Sequence, residues 1–442
     1  MSSKSRILIY SHDTFGLGHL RRCRAIAHHL VDTYKGITVL ILTGSPIVGS
    51  FEFKARVDFI RLPGVIKLRN GEYKSLGLHV DLADTLAIRE AIILQTAKTF
   101  SPDVFLVDKE PLGLKGEIAS TLDYLQNTAC TNILGLRDVL DDPVILASEW
   151  QRKRAVAAVE TFYDDIWVFG SAGFYQPLQG IPLSPQALSR VLYTGFLKRY
   201  APKKPASFVS PEQPFIVVTP GGGKDGVALI ELVVDTYARG AHLPCRAVIV
   251  LGPFMANEDR QRFKQKAQAI DQIEILDFTT VLEHLMLLSK GVVAMGGYNT
   301  FCEILSFNKP ALLAPRTTPR LEQKIRCDRA EELGLLQSLD PDQMNVEDFT
   351  AALHRLDGQV RPSLAIGQMP DLLSGMDNIA SRLLKWLPHL NNQNAGAGGI
   401  LILLQNNRRH EQQHCTAYCH SCATSAGKRS SGAYAGPGTC PD

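Results

Sequence analysis

Short apolar runs alternate with amphipathic stretches along most of this chain. In the N-terminal part, runs rich in valine, isoleucine, leucine and phenylalanine predict buried β-strands at residues 7–10, 37–42, 57–62, 104–107, 133–136, 166–169 and 192–194. Helices are predicted at 20–31 and 82–100, and the first has an apolar face at helical spacing, formed by Leu20, Cys23, Ile26, Ala27, Leu30 and Val31. Strands that alternate with helices predict an α/β fold with a mostly parallel, doubly wound sheet.

The pattern begins again after a proline-rich interruption. Residues 200–214 contain four prolines and no periodicity, which predicts a linker between two domains, at residues 1–199 and 215–388. In the second domain the pattern predicts strands at 215–219, 247–251, 273–276, 292–295 and 311–314 and helices at 227–239, 300–307 and 376–386. Residues 389–442 turn to asparagine, glycine, serine and alanine and predict a disordered, low-complexity tail.

Composition narrows the class of partner. A chain of 442 residues, 45% of them hydrophobic, can bury two cores. The formal net charge is only +3 and the Lys and Arg residues are scattered, so we expect small-molecule partners and no nucleic acid. We also expect no transmembrane segment and no signal peptide, which predicts a cytoplasmic protein with reduced, mostly buried thiols.

Two features could indicate a metal, and we interpret neither as a catalytic site. Asp340-Pro341-Asp342 is the only Asp-x-Asp of the sequence, and the proline-interrupted loop argues against a metal there. Cys415, Cys419 and Cys422 have the spacing by which radical SAM enzymes hold an iron–sulfur cluster, but no sequence for the barrel of such an enzyme follows them. We therefore predict no catalytic metal and no cofactor, with adventitious zinc binding by the tail as the alternative.

The first loop with candidate chemistry follows the first strand. Gly16 and Gly18 precede His19 at the start of a helix. Arg21 and Arg22 oppose the helix dipole in the first turn, so an anionic group or a carboxylate is expected in front of them. His19 is a candidate general base because histidine titrates near neutrality, although a histidine at this place can also be structural.

Two acidic residues offer alternatives to His19 as the base. Asp108 and Glu110 follow the predicted strand at 104–107, and the carboxyl ends of parallel strands are where ligands of such sheets bind.

A second glycine-rich loop follows the strand at 215–219. The backbone amides of Gly221, Gly222 and Gly223 could cradle a diphosphate, with Lys224 as a point charge. The loop is not a Walker motif, because the Gly-Lys-Ser/Thr ending is missing. The alternative is that the glycines only permit a tight turn capped by Asp225.

A third loop, Gly296-Gly297, leads into the predicted helix at 300–307. Its glycines permit close approach of a ligand, and the helix N-terminus favours an anion. Glu303 would suit a ribose diol in the same crevice. Thr300-x-x-Glu303 is also the pattern of a capping box, which needs no ligand.

Gly296-Gly297-x-x-Thr300, then Glu303, a buried strand, Arg316 and the pair Glu322-Gln323 resemble the donor-binding half of glycosyltransferase family 28, the MurG type, with its GT-B fold. The resemblance covers roughly residues 215–387 and more loosely the N-terminal half. The Gly16-x-Gly18-His19-x-x-Arg22-Cys23 loop resembles that of MurG-type transferases, and more closely that of related nucleotide-sugar hydrolases.

The resemblance implies two Rossmann-like domains that face each other across a cleft, with the last helix packing back on the first domain. It implies that Arg316, Arg320, Glu322 and Gln323 line the sugar and phosphate side, with Asn299 as a further substrate-binding residue. The alternative is that these side chains are solvated on the loop. The implied reaction transfers a hexosyl group from a nucleotide-sugar, expected to be UDP-linked, to an unidentified acceptor. It proceeds without a metal and with inversion by direct displacement.

The resemblance leaves the acceptor and the outcome open. The acceptor could be a carbohydrate, a lipid-linked molecule or a small molecule, and peripheral membrane contact is compatible with the second of these. The alternatives are a nucleotide-sugar hydrolase or epimerase on the same fold, and a non-catalytic nucleotide-sugar-binding protein.

Overall fold

The computed structural model describes residues 4–12, 17–67, 72–201, 211, 213–240, 243–340 and 345–393. Residues Met1–Pro388 form one compact unit, which contains two parallel sheets. Of the separate unit His389–Asp442, residues 389–393 are described, and they continue a 3-10 helix, Pro388–Gln393.

The described residues of the N-terminal half form nine strands, β1 to β9 in chain order: Ser5–Ser11, Ile37–Thr43, Val57–Arg61, Val65–Lys67, Tyr73–Ser75, Val104–Asp108, Thr131–Arg137, Asp165–Phe169 and Val191–Tyr193. Seven of them form a parallel sheet in the order β3-β2-β1-β6-β7-β8-β9. The helices α1 to α6 of this half are Gly18–Thr33, Leu82–Phe100, Ala119–Gln126, Pro143–Arg152, Ala155–Phe162 and Pro185–Leu188. Short 3-10 helices lie at Val48–Ser50 and Leu114–Gly116.

The C-terminal half contains the strands β10 to β15: Phe215–Thr219, Arg246–Val250, Ile273–Leu276, Gly291–Ala294, Ala311–Leu313 and Gln337–Ser338. They form a parallel sheet in the order β12-β11-β10-β13-β14-β15. The helices α7 to α14 are Val227–Ala238, Asn257–Ala267, Leu282–Leu288, Tyr298–Ser306, Glu322–Glu332, Val346–Asp357, Pro362–Ile366 and Gly375–Trp386.

Central strands of a parallel sheet are buried along their whole length when helices cover both faces of the sheet. All five residues of β6, β8 and β10 are buried. One hydrophobic core lies around the N-terminal sheet and a second around the C-terminal sheet.

The last long helix, α14, returns to the N-terminal half, as predicted. Arg382 on α14 donates two hydrogen bonds of 2.7 Å to the buried Asp165 at the start of β8. Tyr34, just after α1, donates from its hydroxyl to the carbonyl of Ala380 at 2.9 Å. These contacts confirm the predicted closure by the last helix.

The order of the strands determines where the candidate site residues lie. In each sheet the order of strands reverses once, between β1 and β6 and between β10 and β13. The carboxyl ends of parallel strands leave a crevice at such a reversal, and ligands bind there. The glycine loops at 16–18, 221–223 and 296–297 follow β1, β10 and β13, so all three follow strands that flank a reversal.

The connection at 62–80, between the predicted strand at 57–62 and the predicted helix at 82–100, contains a hairpin that was not predicted. It consists of the antiparallel strands β4 and β5. Residues 68–71 of this connection, most of the predicted linker (202–210 and 212), Gly16 and the predicted tail from 394 onward lie outside the described residues. None of the helices that the structure describes has the length and apolar character needed to cross a membrane.

Candidate functional site

A cavity of about 300 Å³ lies between the carboxyl ends of the two sheets, with walls from both halves of the chain. Twelve of the residues predicted from sequence line it: Gly18, His19, Gly221, Gly222, Gly223, Lys224, Gly297, Asn299, Thr300, Arg316, Glu322 and Gln323. The structure thus brings the three predicted loops and the segment 316–323 together around one space.

Helix N-termini form much of the wall. α1 and α10 begin in it, and the loop 221–225 leads from it into α7. In α10 the first amide with an intrahelical partner is that of Phe301, which donates to the carbonyl of Gly297. The amides of the preceding turn have no partner within the helix, so they are available to an anionic ligand.

Two glycines are required by the backbone itself. Gly223 has φ +95°, and a Cβ there would lie 2.4 Å from the carbonyl oxygen of Leu251. Gly296 has φ +79°, and a Cβ there would lie 2.4 Å from Sγ of Cys327. Gly296 therefore shapes the turn behind the cavity and does not line it, whereas Gly297 lines it with open space beside its Cα.

His19, Asp108 and Arg22 form a cluster at the N-terminal wall, in which Asp108 and Arg22 are buried and His19 is partly exposed. Asp108 ends β6 and is 2% exposed. Nδ1 of His19 pairs with Oδ2 of Asp108. Arg22 donates to the same carboxylate from Nε at 2.9 Å and from Nη2 at 2.6 and 2.8 Å. The carboxylate expected in front of Arg22 is therefore Asp108.

Burial and neighbouring charges set the protonation of this cluster. Burial raises the pKa of Asp108, but Arg22 and His19 outweigh it and hold the pKa well below its usual range. Burial lowers the pKa of His19 below 6.5, against the opposing effect of Asp108. At neutral pH Asp108 is then ionised and His19 neutral, so Nδ1 carries the proton that bonds to Asp108 and Nε2 keeps its lone pair.

Tyr298, the first residue of α10, connects this cluster to a second one. Its ring centroid lies 5.5 Å from Cζ of Arg22 and 5.7 Å from Cζ of Arg326. Arg326 donates to Asp138 from Nε at 2.7 Å and from Nη2 at 2.6 Å, and both side chains are fully buried. Two guanidiniums thus lie near one aromatic ring, and each holds a carboxylate from the N-terminal half.

Positive charge dominates the cavity wall. Its cationic side chains are Arg21, Arg22, Arg137, Lys224, Arg316 and Arg326, against the carboxylates Asp225 and Glu322. Glu322 accepts from Nη2 of Arg316 at 2.6 Å. Burial raises the pKa of Glu322, but Arg137 and Arg316 outweigh it and lower the pKa. Together with the helix N-termini, this wall suits an anion that bears more than one charge.

Glu303 lies elsewhere than predicted. α10 begins at Tyr298 with Gly297 as its N-cap, two residues earlier than predicted, so Thr300 is not a cap and the capping-box interpretation is wrong. Glu303 lines a second cavity of about 520 Å³. Its Oε1 accepts a hydrogen bond from Nη2 of Arg21, which also donates to Glu283 at 2.9 Å. Arg21 lines both cavities and lies between them.

The second carboxylate oxygen of Glu303 has no hydrogen-bond partner among the described residues, although the side chain is 2% exposed. Burial raises the pKa of Glu303 to about 7; Arg21 opposes this, and Glu283 adds to it. A buried acceptor without a donor is costly, so this oxygen is a candidate ligand atom.

Glu110 and Arg320 belong to a network of ion pairs outside the first cavity. Glu110 accepts from Lys153 at 2.8 Å and lies 3.3 Å from Lys109. Arg320, predicted on the sugar and phosphate side, instead donates to Asp141 at 3.0 Å and to Glu149 at 2.9 Å. These two carboxylates of the N-terminal half attract Arg320 away from the cavity.

Several lining residues were missed from sequence. Arg137 and Arg326 are the most important, followed by Tyr298 and Phe254. Arg137 and Asp138 follow the apolar run 133–136 as directly as Asp108 follows 104–107, so the rule of strand carboxyl ends could have found them. Arg326 carries no such signal, because it lies on a polar helix face.

The family comparison bears on residues 215–324. They match the family model described as the glycosyltransferase family 28 C-terminal domain. The match shows that this region is similar to the C-terminal domain of family 28 glycosyltransferases. The match includes both C-terminal glycine loops, Glu303 and the Glu322-Gln323 pair. It confirms the predicted family and, at the level of class, the prediction of a glycosyltransferase.

Several solved structures share the fold of this chain. The glycosyltransferase VinC, solved in complex with DTDP, superposes with a TM-score of 0.57 at 14% identity, covering 88% of this chain and 100% of its own. MurG of Acinetobacter baumannii superposes with a TM-score of 0.53 at 10% identity, covering 86% and 99%. A glycotransferase of kitacinnamycin gives 0.57 at 15% identity, covering 87% and 100%.

These structures are glycosyltransferases of the GT-B fold, and the predicted fold class is confirmed. A search of curated protein sequences found no match.

Proposed function

We propose that this protein transfers a hexosyl group from a nucleotide-sugar to a hydroxyl of an acceptor molecule. The nucleotide is expected to be UDP. The observation that carries the proposal is the His19–Asp108 pair in the wall of a cavity that also presents helix N-termini and a surplus of arginines. A neutral histidine oriented by a carboxylate is suited to accept a proton. The facing positive wall is suited to hold a diphosphate.

The donor is proposed to span both cavities. Ligand pockets for molecules of this size measure roughly 300 to 1,000 Å³, and the first cavity, at about 300 Å³, lies at the lower limit. We place the diphosphate and sugar there. The ribose then lies past Arg21 in the second cavity, where Glu303 offers its unpartnered oxygen to a ribose hydroxyl. The neighbouring fold of VinC, solved with DTDP, supports a nucleoside diphosphate as the ligand class.

The reaction is a direct displacement at the anomeric carbon. The acceptor oxygen attacks from the face opposite the diphosphate, and Nε2 of His19 takes the hydroxyl proton. The bond between the anomeric carbon and the diphosphate oxygen breaks, and its electron pair leaves on the diphosphate. The configuration is inverted. Arginines and helix N-termini supply the charge that meets the leaving group, so we propose that no metal is needed.

His19 is preferred over the other two candidates for reasons of charge. Both carboxylates have a pKa held well below the usual range: burial opposes this shift at each, but Arg22 and His19 outweigh it at Asp108, and Lys109, His12 and Lys153 outweigh it at Glu110. A base this weak takes a proton poorly at neutral pH. We propose that Asp108 orients His19 and that Glu110 holds Lys153.

The test is nucleotide release from a panel of UDP-, dTDP- and GDP-sugars, with and without candidate acceptors and with EDTA in a parallel series. We expect release from a UDP-sugar that requires an acceptor and is unaffected by EDTA. Release without an acceptor would favour hydrolysis, in which water replaces the acceptor on the same histidine. Tight binding without release would favour a nucleotide-sugar sensor.

Replacing Glu303 by Gln tests the ribose contact. The change keeps the shape and removes the charge, so we expect nucleotide-sugar affinity at pH 8 to fall by roughly 1.5 to 3 kcal/mol, the value of a hydrogen bond to a charged group. Because the pKa of Glu303 is raised to about 7, the carboxyl gains its proton as pH falls through that value. The difference between the two proteins should therefore shrink between pH 8 and pH 6.

The measurement is calorimetric titration with the active nucleotide-sugar at several pH values. Glu347→Gln is a matched control, because Glu347 is an exposed carboxylate on α12, outside both cavities. Equal affinities for the Glu303→Gln protein and the wild type at pH 8 would show that Glu303 only anchors Arg21.

A further inference from the structure

Among the described residues, Arg137 has no hydrogen-bonded carboxylate that accounts for its burial. It is the last residue of β7, and its guanidinium lines the first cavity. Its side chain is 15% exposed, and Nε is fully buried without a hydrogen-bond partner among the described residues. The nearest carboxylate is that of Glu322, whose Oε1 lies 4.0 Å from Nη1. That distance is an ion pair at its outer limit and not a hydrogen bond.

The neighbouring arginines of the same wall differ from Arg137. Each has a carboxylate within hydrogen-bond distance: Arg21 with Glu283 at 2.9 Å, Arg22 with Asp108 at 2.6 Å, Arg316 with Glu322 at 2.6 Å and Arg326 with Asp138 at 2.6 Å. Within the part of the chain that the structure describes, Arg137 is the lining arginine without one. A largely buried cation without a hydrogen-bonded carboxylate is costly, so an external anion would relieve it.

Glu322 does not remove this need. Its Oε1 already accepts from Arg316, and its Oε2 is buried without a hydrogen-bond partner among the residues that the structure describes. Burial lowers the pKa of Arg137 to about 10, and the nearby Arg22 and Arg326 act in the same direction, against Glu322. The guanidinium is therefore still charged at neutral pH.

Arg137 is also fixed in place. The next residue, Asp138, is held by Arg326 through two hydrogen bonds. Arg22 and Arg326, which lie near the ring of Tyr298 and are each hydrogen-bonded to a carboxylate, are close enough to Arg137 to lower its pKa. A fork of N–H donors in a rigid frame is suited to phosphate oxygens.

We propose that Arg137 is a ligand of the donor's diphosphate and stabilises it as the leaving group. This proposal rests on the proposed function, because the diphosphate is that of the nucleotide-sugar. As the bond from the anomeric carbon to the diphosphate breaks, the electron pair and the new negative charge go to the diphosphate oxygen. Arg137 meets that charge from the N-terminal half, opposite the glycine loop at 221–223.

The experiment is calorimetric titration of the full-length protein with inorganic pyrophosphate, for wild type, Arg137→Gln, Arg137→Lys and Arg152→Gln. Arg152 is an exposed arginine at the end of α4, so its variant has the same change of charge outside the cavity. We expect pyrophosphate affinity to fall roughly 10- to 150-fold in Arg137→Gln, as for a lost hydrogen bond to a charged group. Arg137→Lys should fall by less, and Arg152→Gln should equal wild type.

Thermal melting of each variant checks folding, and Arg137→Lys keeps the test valid if Arg137→Gln does not fold. The proposal is overturned if wild type does not bind pyrophosphate or if Arg137→Gln binds it within twofold of wild type. Pyrophosphate binding needs no acceptor and no sugar. If binding depends on Arg137 while no nucleotide-sugar is turned over, the proposed function fails and the anion site stands.

Discussion

Replacement of His19 by alanine is expected to lower turnover roughly a hundredfold to ten-thousandfold, the usual contribution of a positioned general base. Donor affinity should be nearly unchanged, because the proposed donor contacts lie mainly on the glycine loops, α10 and Glu303 of the C-terminal half. Steady-state kinetics give turnover, and calorimetric titration with the nucleotide-sugar gives affinity. His354→Ala is the matched control, since His354 is exposed on α12.

The pH profile distinguishes a base from a structural histidine. A base acts only when neutral, so wild-type turnover should rise with pH through the pKa of His19, which burial places below 6.5. The residual turnover of the His19→Ala variant should not show this rise with pH. If turnover stays within a few-fold of wild type in a folded variant, His19 is not the base, and Glu110 is the next residue to test.

Replacement of Arg326 by methionine should destabilise the protein by roughly 3 to 5 kcal/mol, the cost of leaving a buried charge without its partner. Asp138 is fully buried, and Arg326 donates two hydrogen bonds to its side chain. The pair joins α11 of the C-terminal half to the end of β7. The free energy of unfolding from urea titration measures the loss.

The double variant Arg326→Met, Asp138→Leu removes both charges and should recover much of the stability, because a buried pair can be replaced by apolar residues at little cost. Arg239→Met is the control, since the pair of Arg239 and Glu347 is exposed, and it should leave stability unchanged. A single variant as stable as wild type would mean that water reaches Asp138 and that the pair is not buried in solution.

The buried strands of both sheets were largely predictable because their signal is local, whereas most of the shorter helices and β15 were not predicted. Apolar runs such as 104–107 and 215–219 mark strands buried on both faces, and the observed β6 and β10 agree with them to within a residue. The hairpin of β4 and β5 was missed because its strands are three residues each. A strand of three residues is too short for a periodicity to be recognised.

The site was predictable where it depends on the same local signals. His19, the glycine loops and Asp108 each follow a buried strand, and the strand's carboxyl end is where an α/β sheet places its ligands. The position of Glu303 was predicted wrongly because the start of α10 was predicted two residues too late. A helix that starts two residues earlier turns its side chain by about 200°, since each residue turns an α-helix by about 100°. Glu303 therefore lies against Arg21 and not in the first cavity.

The sequence by itself determined which residues stand at strand ends and helix starts, because periodicity and glycine placement are properties of neighbouring residues. Only the tertiary structure decided which arginine pairs with which carboxylate. Arg22 and Asp108 are 86 residues apart, and Arg326 and Asp138 are 188 apart. Such pairs form only when strand order brings the two positions to the same crevice. For the same reason no sequence pattern shows that Arg137 lacks a hydrogen-bonded carboxylate among the described residues. This depends on which carboxylate each of the other arginines of the cavity binds.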